Sequence, residues 1–241
     1  MFIRSVIISF ILLTSIKEST GQNNLQELFI DNIPFSCKDS FETSVRLRKL
    51  NNVIGLQGSI RWDSTALALY AVKAGTSIIP LDSSNMNLAN AARGLISFLW
   101  FDNSIAGLDP ADSSVLFTLK FKKKADAEGK QFISWSDQPT PREIDTLDIS
   151  GIPQKNNQAI FSDGSIRTTY EYVFTGNGIW SDANNWQDKR IPPALLSDCE
   201  VIIISHSHSG TCDLNTPQNM SKGSKIRIKP GCRLNISGYL Q

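Results

Sequence analysis

From residue 43 to residue 169 apolar and polar side chains alternate at every second position. Val45 and Leu47 alternate with Arg46 and Arg48; Leu56, Gly58, Ile60 and Trp62 alternate with Gln57, Ser59 and Arg61. Val115, Phe117, Leu119 and Phe121 alternate with Leu116, Thr118, Lys120 and Lys122. A period of two is that of a strand with one face in a core and the other in water. Asn51-Asn52, Asp102-Asn103, Asp109-Pro110 and Asp163-Gly164 punctuate these runs with turn-forming residues. Many short strands between turns predict an all-β fold, a sandwich or jelly roll. Residues 86–93 have room for one helical turn.

Past residues 168–172 the pattern changes. Residues 177–186 are rich in turn formers and hold Trp180 and Trp186. Two short alternating strands, KIRIKPG at 225–231 and RLNISG at 233–238, lie eight residues apart. Such an echo predicts successive turns of a small β-solenoid-like segment. The expected organisation is a leader over 1–21, a sandwich over 22–169, and a small β-rich, solenoid-like or capping segment over 170–241.

The leader follows from Arg4, the apolar run at 6–16, and the small residues Ser19 and Gly21. Such a run is too short for a ~30 Å hydrocarbon layer, which takes ~20 helical residues. It reads as a signal peptide, which puts the mature chain in the extracellular space or on the cell surface. The whole chain carries 24 Lys+Arg against 23 Asp+Glu. Removing Arg4, Lys17 and Glu18 with the leader leaves 22 of each. That balance supplies no electrostatic reason to expect nucleic acid or an anionic membrane. No second long apolar run follows, so no membrane span is expected.

Export gives the four cysteines meaning, because an oxidising compartment permits disulfides. Cys37, Cys199, Cys212 and Cys232 allow three pairings. Cys199 and Cys212 flank the apolar run 201–204 and the polar run 205–210, so two strands joined there would bring them together. That bridge is the expected one, at ~3 kcal/mol in the chain-entropy picture. No CxxC spacing points to zinc.

The segment LQGSIRWDSTAL at 56–67 resembles the early strands of bacterial cohesin modules, in which a glycine precedes an aromatic–Asp pair. GLISFLWFD at 94–102 and SVLFTLKFK at 114–122 resemble two further strands of that family. FISWSDQPTPREI at 132–144 and DGSI at 163–166 follow in the family's order, so the likeness spans roughly 34–169. It implies a nine-stranded jelly-roll β-sandwich that binds dockerin-containing proteins, or carbohydrate as related sandwiches do, in polysaccharide degradation. Gln57, Ser59 and Arg61, the polar phase of one strand, are the expected partner-binding residues. FTGNGIWSDANNW at 174–186 resembles a segment of large secreted adhesin-like proteins that precedes a β-helical region, which implies a structural or adhesin role as the alternative.

Candidate chemistry changes this picture little. Asp137 with Glu143, or Asp109 with Asp112, could form a glycosidase pair only across a cleft with ~5–9.5 Å between the carboxyls. Turn sequences around both pairs favour surface acids that bond their own backbone. His206 and His208 stand in a loop-like string with no third ligand evident, so no metal is expected. No GxSxG elbow or phosphate loop is present. Trp62 and Trp100 sit in alternating strands and are expected in the core. Trp180 and Trp186 have two readings, a stacking surface for carbohydrate or a plug for a small β core. The chain is therefore expected to be a non-enzymatic, cofactor-free, monomeric binding module.

Overall fold

The computed structural model describes residues 25–124, 127–206 and 210–241. The leader at 1–21 and His208 lie outside them.

The first strands are β1 (Glu27–Ile30), β2 (Asn32–Ile33), β3 (Ser40–Arg48), β4 (Val53–Trp62) and β5 (Leu67–Ala74). Next come β6 (Met86–Asn87), β7 (Leu95–Phe101), β8 (Val115–Lys123) and β9 (Lys130–Ser136). The last four of the sandwich are β10 (Glu143–Leu147), β11 (Pro153–Lys155), β12 (Ile160–Ser162) and β13 (Gly164–Arg167). One layer runs β12-β1-β3-β8-β5, and the other runs β11-β10-β4-β9-β13-β2, with β7 along the opposite edge of β4 and β6 beyond it. The first extended stretch changes layers between β1 and β2, pairing in parallel with β12 and then with β13. Within residues 86–93, where a helical turn had room, the chain makes one short 3-10 turn, Ala91–Arg93, and another, Ser83–Asn85, precedes it.

The alternation read along the chain is the one the layers use. Val45, Leu47, Leu56, Ile60, Phe117, Leu119 and Phe121 are fully enclosed between the sheets. Trp62 and Trp100 join them, and Trp62 meets Phe121 edge to face at 5.1 Å. The turn after Trp62 is closed by Asp63, whose carboxylate accepts the N–H and the hydroxyl of Thr65 at 2.8 and 2.6 Å. This is the local bonding by which Asp competes with strand ladders and ends them.

After Arg167 the pairings between strands among the described residues are parallel, with one isolated antiparallel bridge from Phe174 to Trp186. The strands are β14 (Tyr170–Phe174), β15 (Gly178–Ile179), β16 (Leu195–Leu196) and β17 (Glu200–Ile204). They continue with β18 (Gly210–Leu214), β19 (Asn219–Met220), β20 (Lys225–Ile228) and β21 (Cys232–Ile236). Three small sheets result, β14-β17-β20, β15-β18-β21 and β16-β19. The strands at 225–231 and 233–238 therefore are not neighbours on successive turns: β20 lies on β17 and β21 lies on β18. A parallel pair needs a long return path, so an eight-residue echo can only link different sheets.

This second unit has its own core of Tyr172, Phe174, Trp180, Trp186, Leu196, Ile202, Ile204, Cys212 and Leu214. A disulfide between Cys37 and Cys199, with Cα atoms 5.5 Å apart, ties it covalently to the sandwich, beside non-covalent contacts. The expected Cys199–Cys212 bridge is corrected by this pairing. Because β17 and β18 belong to different parallel sheets and do not form a hairpin, the two cysteines are not brought together. Cys212 instead points into the core as a free thiol, pushed up to about 12 by burial, which leaves it little thiolate to react.

Candidate contact face on the second layer

The outward side of the second layer is built around β4. β7 runs antiparallel along one edge, and the chain from β9 through β10 runs along the other. Register then sets four rows across the face. Asp145, Gly55 and Phe101 form one row, and Glu143, Gln57 and Leu99 the next. Ser136, Ser59, Ser97 and Asn87 make the third, and Ser134, Arg61 and Leu95 the fourth.

The three residues expected from sequence fall in the outward phase of β4 as the alternation required, but they differ in access. Arg61 is exposed and Gln57 is half-buried, with its Nε2 3.4 Å from Glu143 Oε2. Ser59 is fully buried. Residues 137–142 leave the line of β9 and β10 and fold over it, so that its hydroxyl donates to Thr140 O at 2.8 Å and accepts from Thr140 N–H at 3.0 Å. Ser59 is thus a bracket for that excursion and offers no surface to a partner, a correction no strand pattern could anticipate.

What sequence reasoning missed is the apolar half of the face. Leu99 is 59% exposed and Phe101 50% exposed, side by side on the outward phase of β7. A signal was present: LISFLWF is apolar in both phases, which a strand at the surface of a sandwich does not need. Opposite them, Glu143 is ion-paired with Lys155 at 2.7 Å. Asp145 lies over Gly55, whose missing Cβ would sit 2.9 Å from Asp145 Oδ2. Burial first, and then the neighbouring Glu143, hold the Asp145 carboxyl above its ordinary range.

The acids weighed for catalysis have structural partners. Asp137 is bonded to Arg142 at 2.8 Å, which holds its carboxyl down to about 2. Asp109 accepts the Asn52 N–H at 2.7 Å, and Asp112 accepts the Lys49 N–H at 2.5 Å. The stacking reading of Trp180 and Trp186 is corrected as well. They are 1% and 2% exposed, edge to face at 4.8 Å, and the Trp186 indole N–H donates to Trp180 O at 2.7 Å. Both plug the second core and leave no ring face for a sugar. His206 donates its backbone N–H to Cys232 Sγ at 3.3 Å, and no group of three or more metal-ligating side chains occurs among the described residues.

Two antiparallel-rich layers packed face to face define a β-sandwich. The sequence matches the cohesin-domain family over residues 36–169, more than half of the chain, and the chain belongs to that family. Among solved structures it is similar to the seventh ScaB type I cohesin of Pseudobacteroides cellulosolvens, at 21% identity and TM-score 0.48, covering 59% of this chain and 91% of that one. It is similar also to the third ScaC cohesin of Acetivibrio cellulolyticus in complex with a ScaB dockerin, at 14% identity and TM-score 0.48, covering 59% and 98%. A non-cellulosomal cohesin of Archaeoglobus fulgidus is similar at 13% identity and TM-score 0.40, covering 59% and 90%. No curated protein matches the chain.

Proposed function

We propose that the chain is a secreted or cell-surface, non-catalytic docking module that takes a dockerin-bearing partner on the outward face of β10, β4 and β7. Leu99 and Phe101 carry this reading. Neighbouring apolar side chains left half or more exposed on a strand face are a mark of protein contact. Glu143, Asp145, Gln57 and Arg61 around them supply the polar rim that such contacts use. The partner reached this way is a folded module, because the face is a pleated plane and not a slot. Trp180 and Trp186, sealed in the second core, take no part in polysaccharide contact.

The division into a module at 22–169 and a second unit at 170–241 belongs to the same proposal. The parallel register of β14-β17-β20 and β15-β18-β21 supports reading the second unit as a short β-solenoid that extends the module as a stiff strut. That register also favours the adhesin-like alternative, in which the unit is structural and the sandwich has no dockerin partner.

A pull-down of the full chain with a panel of dockerin-bearing polysaccharide-degrading enzymes separates the two. Docking predicts a partner retained by the native chain and lost with Phe101→Asp; retention of none, or equal retention by the variant, contradicts it.

A further inference from the structure

The junction between the two units holds a cleft of about 310 Å³, near the lower end for ligand sites. One wall is the end of the sandwich at Arg167, and the floor is β14. The other wall is the turn Gln187–Lys189 with Arg190 after it. Asp188 and Lys189 both take left-handed backbone, with φ of 57° and 54°. Two consecutive side-chain-bearing residues in that region are unfavourable, and such conformations persist only where their surroundings hold them. Arg190 follows them directly, with its guanidinium 4.8 Å from the centre of the Tyr170 ring.

The floor is pinned rather than loose. Tyr170 N–H donates at 2.9 Å to the carbonyl of Cys199, itself half of the Cys37–Cys199 bridge, and Phe35 of the sandwich meets the Tyr170 ring at 5.9 Å. Tyr172 is anchored by its hydroxyl 3.1 Å from Glu200 Oε1. A cleft fixed before the ligand arrives spares the ordering cost of binding.

We infer that this cleft binds a neutral, hydroxyl-rich ring, a sugar unit of an oligosaccharide. Val173 is its single aliphatic lining residue, which disfavours an apolar guest. The cations Arg167 and Arg190 are matched by the anions Glu171 and Asp188, none of them in an ion pair among the described residues, so a ligand of one charge gains nothing overall. Planar forks of Arg, Gln187 and carboxylate, beside Tyr170, are suited to vicinal hydroxyls, which donate and accept at once. The cleft shares no lining residue with the face of Leu99 and Phe101 and does not depend on docking there.

Affinity electrophoresis of the full chain through gels containing xyloglucan, galactomannan, barley β-glucan or polygalacturonate tests it. At least one neutral polysaccharide should retard the chain, without sensitivity to added sodium chloride. Arg190→Ala and Gln187→Ala should each weaken that retardation about tenfold, the loss expected for one good polar contact, with the circular dichroism spectrum and partner pull-down unchanged. Retardation by none of the neutral gels, retardation that neither variant weakens, or retardation by polygalacturonate alone that salt abolishes, overturns the inference.

Discussion

Asp145 shows how a single residue reports on the face it occupies. Its carboxyl lies over Gly55 with Glu143 beside it, and both burial and the neighbouring charge oppose ionisation. A carboxyl whose folded pKa is raised costs stability that grows as pH rises from its unfolded pKa to the folded one and is complete above both, and costs nothing where it is protonated in both states. Asp145→Asn should therefore raise the melting temperature at pH 7, with a gain that shrinks as pH falls below the carboxylate range. Melting curves across pH 3–8 give the comparison, and a gain that grows toward low pH would contradict the assignment. Asp137 has the opposite sign. Arg142 holds it down to about 2, so its small, solvent-screened contribution is present at neutral pH and lost on acidification. Trp180 and Trp186 act through packing. Trp186→Ala should cost about 3–5 kcal/mol of stability in denaturant titration, as for other buried tryptophans.

At the scale of the element, strand alternation was legible because solvent on one side and a core on the other impose it. Val45, Leu56, Ile60 and Phe117 are where the pattern puts them. Gln57, Ser59 and Arg61 were likewise in the right phase. Their access was not legible, because Ser59 is covered by an excursion 81 residues away in sequence, at Thr140. β7 posed the reverse difficulty: Leu99 and Phe101 are apolar yet outward, and composition alone could not separate a covered strand from one awaiting a partner. The C-terminal strands were recognisable as strands, but parallel register joins positions such as Val201 and Lys225 or Gly210 and Cys232 that no short-range echo reveals. The disulfide was misread for that reason, since Cys37 and Cys199 are 162 residues apart.

For the whole molecule that bridge is the main mechanical link. Closing so long a loop restricts the unfolded chain by about 5 kcal/mol in the entropic picture. Glu128 of the sandwich adds ion pairs to Lys225, at 2.6 Å, and to Arg227. The double variant Cys37→Ser/Cys199→Ser should thus melt at lower temperature and become cleavable by protease near residues 168–170, where the backbone passes between cores. Unchanged melting and protection would show that the non-covalent contacts suffice.

The central claim is that contact with a partner is made by the second layer's outward face. Affinity of an immobilised dockerin-bearing partner for Leu99→Asp, set against Tyr70→Asp on the first layer, tests it most directly, because Tyr70 is similarly exposed at 57%. The account predicts a loss of about a hundredfold or more for Leu99→Asp, as for a central contact residue, and native affinity for Tyr70→Asp. Native affinity for Leu99→Asp with loss for Tyr70→Asp would contradict it.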